Sequence, residues 1–252
     1  MKNHSRIGNG EKGFSLIEMA VATLLFTIIA GVGFSLLAVS QQRYQMEKNY
    51  MNSFQQANIA MDQIVRDVHS AGYPPTNSFM TTVATANQAK VANAFAWSPS
   101  YPGTPCTVGA CTSPGSYDLL TESDLGTGSG VQWIRYKLVG NNLMRGTATK
   151  VAGTDPVTAT DPNLTVYLEN VMNNPTSAQM AALKGFYPAM FPGNAAIPVF
   201  SYTYDSGTLS QPANIREVNI TLIVQASTPD PRTKVLKVVT LTGQAARVNP
   251  NK

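Results

Sequence analysis

Phe14-Ser15-Leu16-Ile17-Glu18-Met19-Ala20-Val21-Ala22-Thr23-Leu24-Leu25-Phe26-Thr27-Ile28-Ile29-Ala30-Gly31-Val32-Gly33-Phe34-Ser35-Leu36-Leu37-Ala38-Val39 is a run of 26 residues with one charged side chain, Glu18. Nothing else in the 252 residues is comparable. As a helix rising about 1.5 Å per residue, it is about 39 Å long, enough to cross a hydrocarbon core of about 30 Å with some tilt. A cleaved secretory signal would carry an apolar region of only about 7 to 15 residues, ending in small residues. Lys2, Arg6 and Lys12 precede the run and only Arg43 and Lys48 follow closely. That bias places the start in the cytoplasm and the bulk of the chain outside. An ordinary single-pass anchor would read the same way.

Glu18 distinguishes this run from a plain anchor. An acidic side chain in a span is costly, about 2.5 to 3.5 kcal/mol for Asp at a helix centre on insertion scales. Protonation, or a reach into the headgroup region, would relieve it in an isolated chain. A cationic partner is the favoured expectation.

The stretch resembles the type IV pilin and pseudopilin family: a short basic leader ending in Gly13, then Phe14 to Met19 with Glu18 four positions after Phe14, then an uninterrupted apolar helix. The resemblance implies roles residue by residue. Gly13 precedes the bond cut by a prepilin peptidase, Phe14 becomes the new N-methylated terminus, and Glu18 forms an assembly salt bridge with the exposed amine of a neighbour. It further implies other major and minor pilins, an inner-membrane assembly platform and, before assembly, membrane lipid as partners. The chain would be a single-pass inner-membrane protein with a periplasmic domain, later moved to the pilus, at its tip. Residues 60–73, with Arg66-Asp67 followed by Ala71-Gly72-Tyr73, are similar to the end of the long helix in PilW-like minor pilins. Residues 131–145, with the rhythm Tyr136-x-Leu138-x-Gly140-Asn141-x-Leu143-x-Arg145, and the strands of 215–242 resemble the same group. A span without proline, and cysteines only five apart, depart from major pilins. The implied role is a minor pilin that initiates or caps a filament. A minor pseudopilin of a type II secretion system is the alternative within the family, and an adhesion or DNA-uptake module the alternative outside it.

Beyond the span, residues 40–71 lack Gly and Pro, and Tyr50, Phe54, Ala57, Met61, Ile64 and Val68 recur at spacings of four and three. This is an amphipathic continuation of the helix, with Glu47, Lys48, Asp62, Arg66 and Asp67 expected mostly on its other sides. Its stripe suits the chain's own sheet, or a coiled-coil dimer. Gly72 and Pro74-Pro75 end it. Residues 72–130 read as a loop-rich region with one short helix at 85–95. Strands are expected at 131–139, returning through 143–145 after a turn at 140–142, and at 164–171, 198–205, 215–226 and 234–243, with a short helix at 176–184. The expected fold class is thus α+β: a cleaved leader (1–13), a transmembrane half (14–39) and an amphipathic half (40–71), packed on one antiparallel sheet from 131–252.

Composition narrows the chemistry. Charged residues make up 13% of the chain, well below the quarter expected of soluble domains. The net charge of +4 is half explained by the first thirteen residues, and there is no Arg/Lys cluster. Nucleic acid is therefore not an expected partner. Two histidines and the absence of nucleotide-loop, zinc-protease or serine-hydrolase motifs leave no catalytic constellation, so neither enzyme activity nor a cofactor is expected. Cys106 and Cys111 would form a disulfide in an exported protein, with free thiols or half a metal site as alternatives. Asp118, Glu122 and Asp124 form the one acidic cluster, read either as a loop calcium site or as a solvated turn, the turn being favoured. Tyr73, Phe95, Trp97, Tyr101 and Tyr117 lie in or beside the loops and could meet a ligand or pack locally.

Overall fold

The structure, a computed structural model, describes residues 13–73, 95–96, 115–127, 129–149, 163–191, 195–205, 215–230 and 232–248. The chain divides into two compact units, Met1–Glu47 and Lys48–Lys252. The fold is α+β. In the first unit, helix α1 (Leu16–Ser70) begins and carries the apolar run. No residue is buried in the 18-residue stretch that makes α1 long and apolar enough to cross a membrane.

In the second unit the rest of α1 lies on strands. Ala57, Ala60, Met61, Ile64, Val68 and Ala71 are buried in one core with residues of two antiparallel sheets, so the stripe is taken up by the chain itself from Ala57 onward. Phe54, the residue a turn earlier, is still exposed. The single sheet expected from 131–252 is replaced by two. The first, in order β1 to β5, comprises Phe95–Ala96, Asp118–Asp124, Val131–Val139, Asn142–Thr149 and Thr165–Leu168. The second comprises β6 (Phe200–Tyr204), β7 (Ile215–Pro229) and β8 (Leu236–Ala246). Sheet structure thus starts before residue 131, and the loop-rich reading of 72–130 fails at β1 and β2. Phe95, expected at the end of a helix, pairs with Thr121 as a strand; the rest of 85–95 lies outside the described residues.

Local chemistry accounts for the connections. Gly72, at φ 87°, ends α1, and its N–H donates to the Glu122 carbonyl while Tyr73 accepts from the Asp124 N–H, both at 2.8 Å. The helix end is thereby laid along β2. The β3–β4 hairpin turns through Gly140-Asn141, with Gly140 at φ 59° as a type II′ turn requires at its first central position. Helix α2 (Ser177–Phe186) starts at a capping box, the Thr176 hydroxyl accepting from Gln179 N–H while the Gln179 amide oxygen accepts from Thr176 N–H.

The segment Ser116-Tyr117 joins the two sheets, and Asn173 braces β7. Ser116 offers its carbonyl to the N–H groups of Val199 and Phe200, and Tyr117 offers its own to Leu138. Asn173, fully buried, donates to the Thr221 carbonyl at 2.8 Å and accepts from the Ile223 N–H at 2.9 Å. Along β7, Val218, Ile220, Leu222 and Val224 enter the α1 core, whereas Ile223 faces α2 with Met180 and Leu183.

Helix and second sheet meet closely at one point: a Cβ built on Gly243 would lie 2.5 Å from Met61 Sδ and 3.2 Å from its Cγ. Gly243→Val is expected to destabilise the second unit by about 1 to 3 kcal/mol, as overpacking does. Urea unfolding of the full chain in detergent should show a smaller loss in Gly243→Val/Met61→Ala than the two single losses added together.

Candidate functional site

The predicted assembly residues lie at the start of α1. Phe14 is 84% exposed and Gly13 has open space around it. Glu18 sits in the first turn, where its Oε2 accepts the Ser15 N–H at 2.9 Å. A carboxylate there satisfies a free helix N–H and meets the positive end of the helix dipole. That local partner was missed in reading the sequence, although an acid three residues after Ser15 is the spacing that permits it. A carboxylate has about four acceptor positions. This single hydrogen bond leaves most of them open. The other polar groups of the run are closed within the helix: Thr23, Thr27 and Ser35 donate to carbonyls three or four residues back at 2.8 to 3.0 Å. Glu18 alone among these groups carries a charge, and its remaining acceptor positions are open to a donor.

A second polar site was not foreseen at all. Asp67, expected on an outer side of the helix, is 2% exposed. Its Oδ1 accepts from Gln63, one turn earlier, at 2.8 Å. Its Oδ2 accepts from the Tyr136 hydroxyl at 2.5 Å and from Arg145 Nη2 at 2.9 Å. Arg145 Nε also donates to the Tyr136 hydroxyl at 2.9 Å. Tyr136 and Arg145 are direct cross-strand partners in the β3–β4 hairpin, so the turn at Gly140-Asn141 sets their separation. Tyr167, the residue passed over by the register shift between β4 and β5, brings its ring 5.9 Å from the Arg145 guanidinium. Burial, and then the negative charge of Asp67, push the Tyr136 hydroxyl far above its ordinary range.

Among the described residues, Asp118, Glu122 and Asp124 do not gather into a group that could hold one cation. Asp118, Glu122 and Asp124 lie along strand β2 rather than in a loop. At about 3.3 Å per residue, Asp118 and Glu122 are about 13 Å apart, too far to share one ion. Asp118 makes a two-pronged pair with Arg135 at 2.9 and 2.6 Å, Glu122 accepts from Trp133 Nε1 at 2.8 Å, and Asp124 accepts from Gly126 N–H at 2.8 Å. Of the loop aromatics, Phe95 is buried in the core, Tyr117 packs against it and Tyr73 is exposed. Trp97, Tyr101, Cys106, Cys111 and the leader residues 1–12 lie outside the described residues.

No family model matches the chain, and no curated protein matches it.

Removing the Asp67 carboxylate strands a half-buried guanidinium. Asp67→Ala is expected to cost about 3 to 5 kcal/mol, the range for breaking a buried pair from one side. Tyr136 adds a pH signature. Its folded-state pKa is raised, so its contribution is complete below the unfolded value of about 10 and is lost as pH rises beyond that. Denaturant midpoints between about pH 9 and 11.5 should fall in wild type and fall less steeply in Tyr136→Phe, by at most about 1.4 kcal/mol per pH unit for one proton.

Proposed function

We propose that this protein is a minor pilin, cut between Gly13 and Phe14 by a prepilin peptidase, methylated at Phe14, and drawn from the membrane into a type IV pilus where it helps initiate or cap the filament. The supporting observation is an apolar run, with no buried residue in its most apolar stretch, that holds one acid, Glu18, with acceptor positions open. Lipid would cover that surface first and neighbouring helices afterwards. The cut leaves the Ser15 N–H in place, so the local hydrogen bond of Glu18 survives processing. What changes is Phe14 N, which turns from an amide into an ammonium. Two unit charges about 4 Å apart attract by about 4 kcal/mol at an effective dielectric of 20, enough to offset the burial of the acid when the geometry is held. A neighbour displaced along the helix axis supplies that charge. The Thr and Ser hydroxyls of the run are already paired, so the contact specified by charge is the one at Glu18. The chain is a substrate of processing in this reading and carries no catalytic role.

Intact-mass measurement on protein taken from assembled fibres should give a chain starting at Phe14 with one added methyl group; a Met1 start in those fibres overturns the proposal. Glu18→Val should insert in the membrane yet enter fibres at a small fraction of the wild-type level, read by quantitative immunoblot of sheared filaments. Equal incorporation would remove the role assigned to Glu18.

A further inference from the structure

Helix α2 covers one face of the second sheet with Met180 and Leu183 but leaves Phe186 59% exposed. Between α2 and the start of β8 lies a pocket of about 330 Å³ whose wall includes Met172, Leu183, Phe186, Tyr187, Leu236 and Lys234. Its frame is fixed. The Tyr187 hydroxyl donates to the Leu236 carbonyl at 2.9 Å, Met172 N–H donates to Ile223 at 2.7 Å, and the capping box holds the start of α2.

One cation, Lys234, stands in the pocket wall. It sits on left-handed backbone at φ 59°, in a turn closed by Lys234 N–H to the Asp230 carbonyl at 2.8 Å. Arg232 lies in the same turn. Neither cation has an ion-pair partner among the described residues. Asp230, the acid of this turn, accepts the N–H groups of Arg232 and Thr233 on its Oδ1 at 2.8 and 3.0 Å.

We propose that this pocket docks a protein partner by accepting a bulky apolar side chain flanked by acidic residues. The volume is at the small end of ligand pockets and suits one large side chain. An anchor in a preformed apolar pocket, beside a charge that meets its opposite, is the arrangement in which interfaces concentrate affinity and select partners. An anionic membrane would answer the cations and leave the pocket unfilled. That the partner is a fellow filament subunit rests on the pilin reading; the pocket and its chemistry do not.

The test uses the full chain in its native cells, with p-benzoylphenylalanine in place of Ala182, an exposed residue of the pocket wall. Irradiation should give an adduct that maps, by mass spectrometry, to a partner segment with a large apolar residue within about two positions of Asp or Glu, the side-chain arrangement the pocket and rim call for. Adding Lys234→Glu should cut the yield about tenfold, Lys234→Arg should keep it, and reversing the mapped acid to Lys should restore it in Lys234→Glu. Adducts to lipid only, no adduct, or a yield indifferent to Lys234→Glu overturn the proposal. Intact mass of the same sample separates the two readings. A methylated Phe14 start without an adduct sinks the docking site alone, and a specific adduct on a chain starting at Met1 sinks the pilin reading alone.

Discussion

The Asp67 carboxylate, buried between the end of α1 and the β3–β4 hairpin, is the constraint on which the second unit turns. Moving a carboxylate and a guanidinium out of water costs several kcal/mol per ion, and attraction repays it only where geometry is good and the remaining hydrogen-bond capacity is filled. Here Gln63, Tyr136 and Arg145 together fill it. The apolar stripe of Ala57, Met61, Ile64 and Val68 would tolerate small rotations and slides of the helix, because dispersion contacts are not directional. The polar cluster would not. It fixes which face of the helix meets the first sheet, and the Gly243 contact with Met61 fixes how closely the second sheet approaches.

What could be read from the sequence follows from the range of the interactions involved. The apolar run, the hairpin at Gly140-Asn141, the β7–β8 pair and α2 are encoded by neighbours within a few residues, and they lie close to where periodicity and turn chemistry put them. Strand β2 was illegible because both of its faces are buried and one carries Asp118, Glu122 and Asp124. Asp118 and Glu122 are partnered by Arg135 and Trp133 from the next strand, which no local alternation reveals. Asp67 was misplaced for the same reason. Its charged partner lies 78 positions further on, and a helical wheel sees an acid with no cause to be buried. The one available signal was the pairing of Tyr136 and Arg145 across a two-residue turn, which puts a hydroxyl and a guanidinium side by side on one sheet face.

Glu18 and Asp67 are the same chemistry under opposite boundary conditions. Asp67 faces the chain's own core, whereas Glu18 would face lipid or neighbouring helices in the proposed reading. Asp67 receives three partners from its own chain and is closed. Glu18 receives one backbone N–H, while Thr23 and Thr27 donate their hydroxyl hydrogens to carbonyls of their own helix. Covering α1 with lipid or with other helices removes the water that would satisfy the remaining acceptor positions of Glu18. The cost then falls on whichever neighbour is present, and a cation is the group that offsets it most. In the proposed reading, an amine created by cleavage at Phe14, beside an apolar helix of the same kind, would arrive at the correct depth without adding a basic residue to the run. In the proposed pilin reading, processing and pairing would be one device: the cut would generate the charge that the acid lacks, and a chain left uncut would carry the acid without its complement.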